Sequence, residues 1–194
     1  DEVERELQNP NARVIPGASG VNNMLVFNTK LYPELNATFR RAILHAINRE
    51  AIIETLYNGA ATPVSCLYSN PNFVPSDIQQ FPYDPELARQ LIAESGVDVA
   101  ALPELEMNTY YGDQLSLDVM TAIQQDLAEV GIRVTPRQMD SPSWLKSFYE
   151  DVNFQVSFIG GGNGADPNRA YEYFFSTAKW PPGQNILHYN NPEF

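Results

Sequence analysis

The order of hydrophobic patterns along the chain predicts an α/β fold in which helices pack on a mixed or mostly parallel sheet. Three observations lead there. Apolar runs of strand length, at Met24 to Asn28, Leu105 to Thr109, Ile132 to Gln138 and Phe154 to Phe158, are separated by amphipathic stretches of helix length. Helical stretches that open at Asn48 and Asp84 close at Gly59 and Gly96, the residue types that cap helices at those ends. The 194 residues are 43% hydrophobic, with 10 Phe and 10 Tyr, enough to bury a sizeable core.

Val3 to Gln8 fits one or two helical turns, which Asn9-Pro10-Asn11 stops. Pro16 to Gly20 reads as a loop, so residues 1–20 are expected to be a connecting segment and 21–194 one domain. Met24 to Asn28 is apolar enough to predict a strand buried on both faces. Asn36 is placed to cap a helix with Phe39, Ala42, Ile43, Ala46 and Ile47 on one stripe and Arg40 and Arg41 off it; this role also accounts for Asn36-Ala37-Thr38 better than glycosylation does. Asn48 caps a second helix carrying Ile52, Ile53 and Leu56. The stretch from Ala60 to Tyr83 holds Pro63, Pro71, Pro75 and Pro82 and predicts a long loop that wraps or covers something.

Asp84-Pro85 then opens a helix with Leu87, Ala88, Leu91 and Ile92 inward. Leu105, Met107 and Thr109 alternate with Glu106, Asn108 and Tyr110, the pattern of a half-buried strand. Leu115 to Val130 aligns Val119, Ile123 and Leu127 on a helix, and Gly131 turns the chain into the strand Ile132 to Gln138, which Pro136 assigns to a sheet edge or a fraying end. Ser141-Pro142 starts a short helix through Trp144, Leu145 and Phe148, and Phe154, Val156 and Phe158 alternate in the next strand. A glycine-rich loop follows, and Asp166-Pro167 opens a helix through Tyr171 and Phe174.

Charge and sparse chemistry exclude several classes. A balance of 24 acids against 12 bases gives net −12, which disfavours nucleic acid and an acidic bilayer surface as partners and reads as a solvated acidic exterior. Cys66 is alone, so no internal disulfide forms, and without a nearby His it reads as an inert thiol. His45 and His188 have no metal-ligand spacing with it and read as structural, so no metal or cofactor is expected. Neither a G-x-S-x-G elbow nor a serine with a positioned base is present, and Glu104 and Glu106 point to one solvated strand face; no enzyme is expected.

The segment Gly160-Gly161-Gly162-Asn163-Gly164-Ala165 formally fits G-x-G-x-x-A, but the helix it should open is displaced to Pro167 and no acid occurs from Ser176 to Asn191 to hold a ribose. No Gly-Lys-Ser/Thr follows either, so it is not a P-loop. What these glycines permit is close approach of backbone groups to a ligand at the carboxyl end of a strand. Nearby, Tyr110 and Tyr111 can stack on a ligand or seal the sheet edge, Trp144 can line a cleft or sit in the core, and Asn28 is expected to bond backbone.

The succession LVFNT, FRRAILHAINREAIIETLYNGAATP, YDPELARQLIAESGV, LEMNTYY, VMTAIQQDLAEVGIRV, SWLKSF, FQVSFIGGGNGADP and YNNPEF resembles the second lobe of the family 5 extracytoplasmic solute-binding proteins of peptide- and nickel-type ABC importers. The resemblance implies one α/β lobe of a two-lobed receptor that closes on a small, possibly peptide-like solute and delivers it to membrane permease subunits, outside the cytoplasm, as a monomer. With a start at DEVEREL and an end at NPEF, the chain is expected to be a piece of a longer protein. The resemblance also implies ligand contacts from Trp144 and from the loop carrying Gly161, Gly162, Asn163 and Asp166, and Tyr110 joins them as an aromatic able to stack on a ligand. Peptide-binding members carry an aromatic residue and an acid at the positions of Gly160 and Asn163; the exchanges remove the anchor for an α-ammonium and are expected to leave room for a bulkier solute. Asp166, ahead of Pro167, is expected to cap a helix. Alternatives are a small α/β hydrolase or nucleotide-using enzyme, and the ligand-sensing domain of a regulator.

Overall fold

The computed structural model describes residues 2–13, 20–68 and 71–161, together with 173, 174, 177, 183, 185, 186, 189 and 190. Among these a four-stranded sheet forms the frame, in the order β1-β4-β2-β3. Its strands are β1 (Asn22–Phe27), β2 (Leu105–Thr109), β3 (Val134–Gln138) and β4 (Val156–Gly161). The last three run parallel, and β1 pairs antiparallel with β4, so the sheet is mixed as expected.

Two strand environments differ from the sequence reading. β1, expected to be buried on both faces, lies at an edge, and Met24 to Phe27 are only half-buried. An apolar run reports hydrophobicity but not neighbours, and here the returning β4 covers one flank only. β2, expected to be half-buried, is interior: Asn108 is 1% exposed and Thr109 0%. Helices cover one face of it and an aromatic segment covers the other. β3 starts at Val134, because Ile132 N–H is spent on Leu127 O in the preceding turn at 3.0 Å, and Pro136 lies on an edge strand, where a missing N–H costs no ladder bond.

The helices are α1 (Glu2–Leu7), α2 (Ala37–Ala46), α3 (Arg49–Leu56), α4 (Pro85–Ser95), α5 (Gln114–Glu129) and α6 (Ser141–Leu145), the last running into a π-helical turn at Lys146–Glu150. Asn36 caps α2 by accepting from Phe39 N–H at 3.0 Å and donates its amide to Ser95 O at 3.0 Å, which joins the start of α2 to the end of α4. The α2 stripe of Phe39, Ala42, Ile43, Ala46 and Ile47 is buried with Ala88, Ile92, Val119, Met120, Ile123 and Leu127 against Leu105, Met107, Val156 and Phe158 of the sheet. Burial of that apolar area, at roughly 25 cal/mol per Å2, is the main term holding this layer together.

The opposite face carries a smaller cluster of Trp144, Phe148, Phe154 and Ile186. Phe154 therefore does not alternate with Val156 and Phe158; it precedes β4 and packs on the other side of the sheet. The long loop wraps its own lobe. The Arg49 guanidinium donates to Val64 O at 2.9 Å and to Phe81 O, His45 Nδ1 donates to Pro82 O at 2.8 Å, and Asn22 Nδ2 donates to Leu67 O at 2.9 Å. His45 is thus a buried structural residue, and the Cys66 thiol, half-buried, lies 3.8 Å from Tyr68 O.

Candidate functional site

Parallel strands that part company leave a fork at their carboxyl ends, the usual place for a ligand in an open α/β sheet. Here pairing between β2 and β4 stops at Asn108↔Ser157, while β4 continues to Gly161 beside β1. Gly160 and Gly161, expected in a loop, are therefore strand residues, paired with Asn23 and Asn22. An open pocket of about 240 Å3 lies over this fork, lined by Tyr110, Ser141, Trp144, Leu145, Tyr149, Ile159 and Gly160. No charged side chain is among these lining residues.

The aromatic wall is built by the segment between β3 and β4. Asp140 caps α6 by accepting from Ser143 N–H at 3.0 Å, and the carboxylate, stabilised chiefly by that bond, is held below its ordinary pKa. The π-helical turn adds a residue to the normal helical repeat, a feature frequent at functional sites. Its exit is strained: Val152, a β-branched residue, has φ of 48°, which costs of order 1–3 kcal/mol. Asn28, fully buried at the end of β1, secures that turn by donating Nδ2 to Val152 O at 2.8 Å, the backbone role expected of it. Lys146 braces the exposed side through Asp151 at 2.6 Å.

Trp144 is both core and wall. It is 3% exposed, stacks on Phe148 at 4.7 Å and 17°, and still presents an edge to the pocket. Its indole N–H donates to Ser157 Oγ at 3.0 Å, and Ser157 in turn lies 3.4 Å from Asn108 O. Tyr110 leans on Trp144 at 4.7 Å and on Tyr111 at 4.6 Å, so the rings seal the end of β2, and Tyr110 also lines the pocket. Bonding to the Tyr111 hydroxyl, burial and the neighbouring phenols push the Tyr110 pKa up to about 12, and burial raises that of Tyr149. The wall is neutral throughout the physiological range.

Gly160 corrects one expectation. The space a side chain would occupy there is not free for a solute: a Cβ would lie 2.5 Å from the Tyr111 hydroxyl and 3.0 Å from Val21 Cγ1. Gly161 is likewise closed off, since a Cβ there would lie 2.6 Å from Met24 Cε, and it is not part of the described lining. Gly162, Asn163 and Asp166, and the helix expected from Pro167, lie outside the described residues apart from Tyr173 and Phe174. Sequence reading missed Ser141, Leu145, Tyr149 and Ile159 as pocket residues and Ser157 and Asn108 beneath them. A serine and an asparagine at matched positions of two neighbouring strands were the available signal, and the Asn108 carboxamide is buried with neither its nitrogen nor its oxygen bonded among the described residues. Glu104, exposed just ahead of β2, and Glu106, half-buried within it, are engaged across to β3, by Thr135 and by Arg137 at 2.7 Å.

Fold and site together define an α/β lobe of the periplasmic-binding-protein type, with an aromatic pocket, uncharged among the described residues, at the carboxyl ends of its parallel strands. The chain belongs to the bacterial extracellular solute-binding proteins, family 5, whose middle region matches residues 1–182. A candidate ABC transporter peptide-binding protein of Brucella ovis is 37% identical over 185 residues, covering 93% of this chain and 35% of that protein. In structure the chain resembles the candidate peptide-binding protein AppA of Clostridium difficile, with a TM-score of 0.81, 20% identity, and coverage of 98% of this chain and 39% of that one. It also resembles the periplasmic oligopeptide-binding protein of Thermotoga maritima in its mannohexaose-bound form, with a TM-score of 0.72, 25% identity, and coverage of 88% and 36%. The chain thus spans little more than a third of the length of these relatives. The family is one of binding proteins.

Proposed function

We propose that this chain supplies one wall of the ligand cleft in a two-lobed extracytoplasmic receptor that hands its solute to the permease of an ABC importer, and that it binds without catalysing a reaction. Family membership and the peptide-binding relatives support the transport role. The observation that carries the ligand reading is the pocket at the fork of β2 and β4, whose described lining is aromatic, aliphatic and hydroxylic without a charge. Such a surface stacks on the apolar faces of a ligand and offers neutral hydrogen bonds, as sugar rings and other compact neutral solutes require. Ligand contact with both lobes favours closure, because only the closed form makes both sets of contacts.

Asn163 completes this reading from the sequence. A free α-ammonium brought there without a carboxylate would lose several kcal/mol of solvation, which an amide offsets in part. The full-length protein, acting as a monomer, therefore prefers a neutral solute to ordinary oligopeptides. The mannohexaose complex of the Thermotoga maritima relative is consistent with sugars as that solute. A thermal-shift screen of the full-length protein against di- to pentapeptides and neutral oligosaccharides tests it: stabilisation by the saccharides is expected, and stronger stabilisation by free peptides refutes it. Changing Asn163 to Asp is expected to improve the binding of cationic ligands and gain little for the native one.

A further inference from the structure

β4 outruns its parallel partner. Its register with β2 ends at Ser157, yet its ladder with β1 continues to Gly161, so among the described residues the β2 side of its last residues is a short sheet edge facing the aromatic pocket. An edge of this kind accepts an extended peptide by backbone pairing, in the manner of strand addition. Gly160 N–H is a donor on that edge. In this chain it is already engaged, because the Tyr111 hydroxyl accepts from it at 2.7 Å.

Tyr111 is well seated for this. Its own N–H donates to Thr109 Oγ1 at 3.1 Å, its ring meets Phe158 edge-on at 6.2 Å, and it leans on Tyr110 at 4.6 Å. The hydroxyl also stands 2.5 Å from the position of a Cβ on residue 160, so Tyr111 in this seat requires glycine opposite. We propose that Tyr111 is a specificity-determining residue: its hydroxyl caps Gly160 N–H and withholds the edge of β4 from an extended peptide main chain, leaving the pocket to compact neutral groups. The inference rests on the assignment of this pocket as a ligand wall. A peptide carbonyl must displace a phenol that is already ordered, whereas a sugar ring stacked on Tyr110 and Trp144 leaves the cap in place.

Tyr111→Phe keeps the ring packing and removes the cap, together with the bond between the Tyr111 hydroxyl and Tyr110. The test is calorimetry of the full-length protein and this variant with N-acetylated tri- to pentapeptide amides, whose lack of charged termini makes the result independent of Asn163. Hydrogen exchange of the same samples is followed in the segments carrying Gly160, Tyr110, Trp144 and Tyr149. The variant is expected to bind the pentapeptide amide about three- to tenfold more tightly, the worth of one net hydrogen bond, with slowed exchange at Gly160. Tyr111→Leu, which also lacks the hydroxyl, is expected to show the same gain and guards against an effect peculiar to Phe. Affinities within twofold of the unaltered protein, with both variants folded by circular dichroism, overturn the inference. If the peptide slows exchange around Tyr110, Trp144 and Tyr149 equally in all three proteins, only the role of Tyr111 falls. If neither the peptide amides nor neutral oligosaccharides alter exchange there, the site itself is misplaced and the inference falls with it.

Discussion

Replacing Trp144 by Phe separates the two jobs of the indole. The loss of its N–H removes a buried bond to Ser157 Oγ at 3.0 Å, worth about 0.5–1.5 kcal/mol between neutral partners. The smaller ring also leaves a void between Tyr110 and Phe148, which stand at 4.7 Å on either side, and incomplete collapse there adds about 1 kcal/mol. The expected total is about 2 kcal/mol of stability lost. Ser157→Ala alone is expected to cost about 1 kcal/mol, since the indole N–H then has no partner. The decisive quantity is the coupling: in urea unfolding of the four proteins of a double-mutant cycle, the double variant is expected to lose about 1 kcal/mol less than the sum of the singles. Additivity within about 0.3 kcal/mol would refute the claim that this bond ties the pocket wall to the sheet.

Other outcomes follow from single contacts. Gly160→Ala is expected to destabilise by about 1–3 kcal/mol, because its Cβ would press on the Tyr111 hydroxyl at 2.5 Å; combining it with Tyr111→Phe is expected to recover part of the loss in the same assay. His45→Gln, able to keep a bond to Pro82 O, is expected to cost a kcal/mol or so at most and to leave ligand affinity unchanged by calorimetry. Asp126 is half-buried and accepts from Asn48 N–H at 2.8 Å, yet desolvation raises its pKa above 3.8. A carboxyl raised on folding favours the native state below its unfolded pKa and loses that contribution as pH rises through the folded value. Asp126→Asn is therefore expected to flatten the stability profile just above pH 3.8 and to gain stability at neutral pH, as read from unfolding midpoints across that range.

Much of the layer facing α2, α4 and α5 was legible from the chain. Asn36, Asn48 and Asp84 accept from the N–H three residues on, Gly96 takes φ of 74° after α4, and the stripe from Phe39 to Ile47 is buried as its spacing predicts. These features are local: a cap or an apolar stripe is decided by residues within two turns, so periodicity records it. The pocket was only partly legible. Tyr110 and Trp144 stood out as large aromatics, but Ser141, Leu145, Tyr149 and Ile159 look unremarkable in sequence and become a wall only when α6 and the π-helical turn fold over the fork of β2 and β4.

Strand environment shows the same division. Alternation in Leu105 to Thr109 and the apolar run at Met24 to Phe27 identified strands, yet burial depended on neighbours distant in sequence, such as Ser157 beside Asn108 and Gln155 against Glu106 N–H, each 49 positions away. Gly160 is the sharpest instance. By itself the sequence determined that no side chain stands at that position; only the tertiary structure decided that Tyr111, two residues beyond the end of β2, reaches across to fill the space and take the backbone N–H. A missing side chain is a local fact, whereas the volume it leaves belongs to whichever element packs nearest.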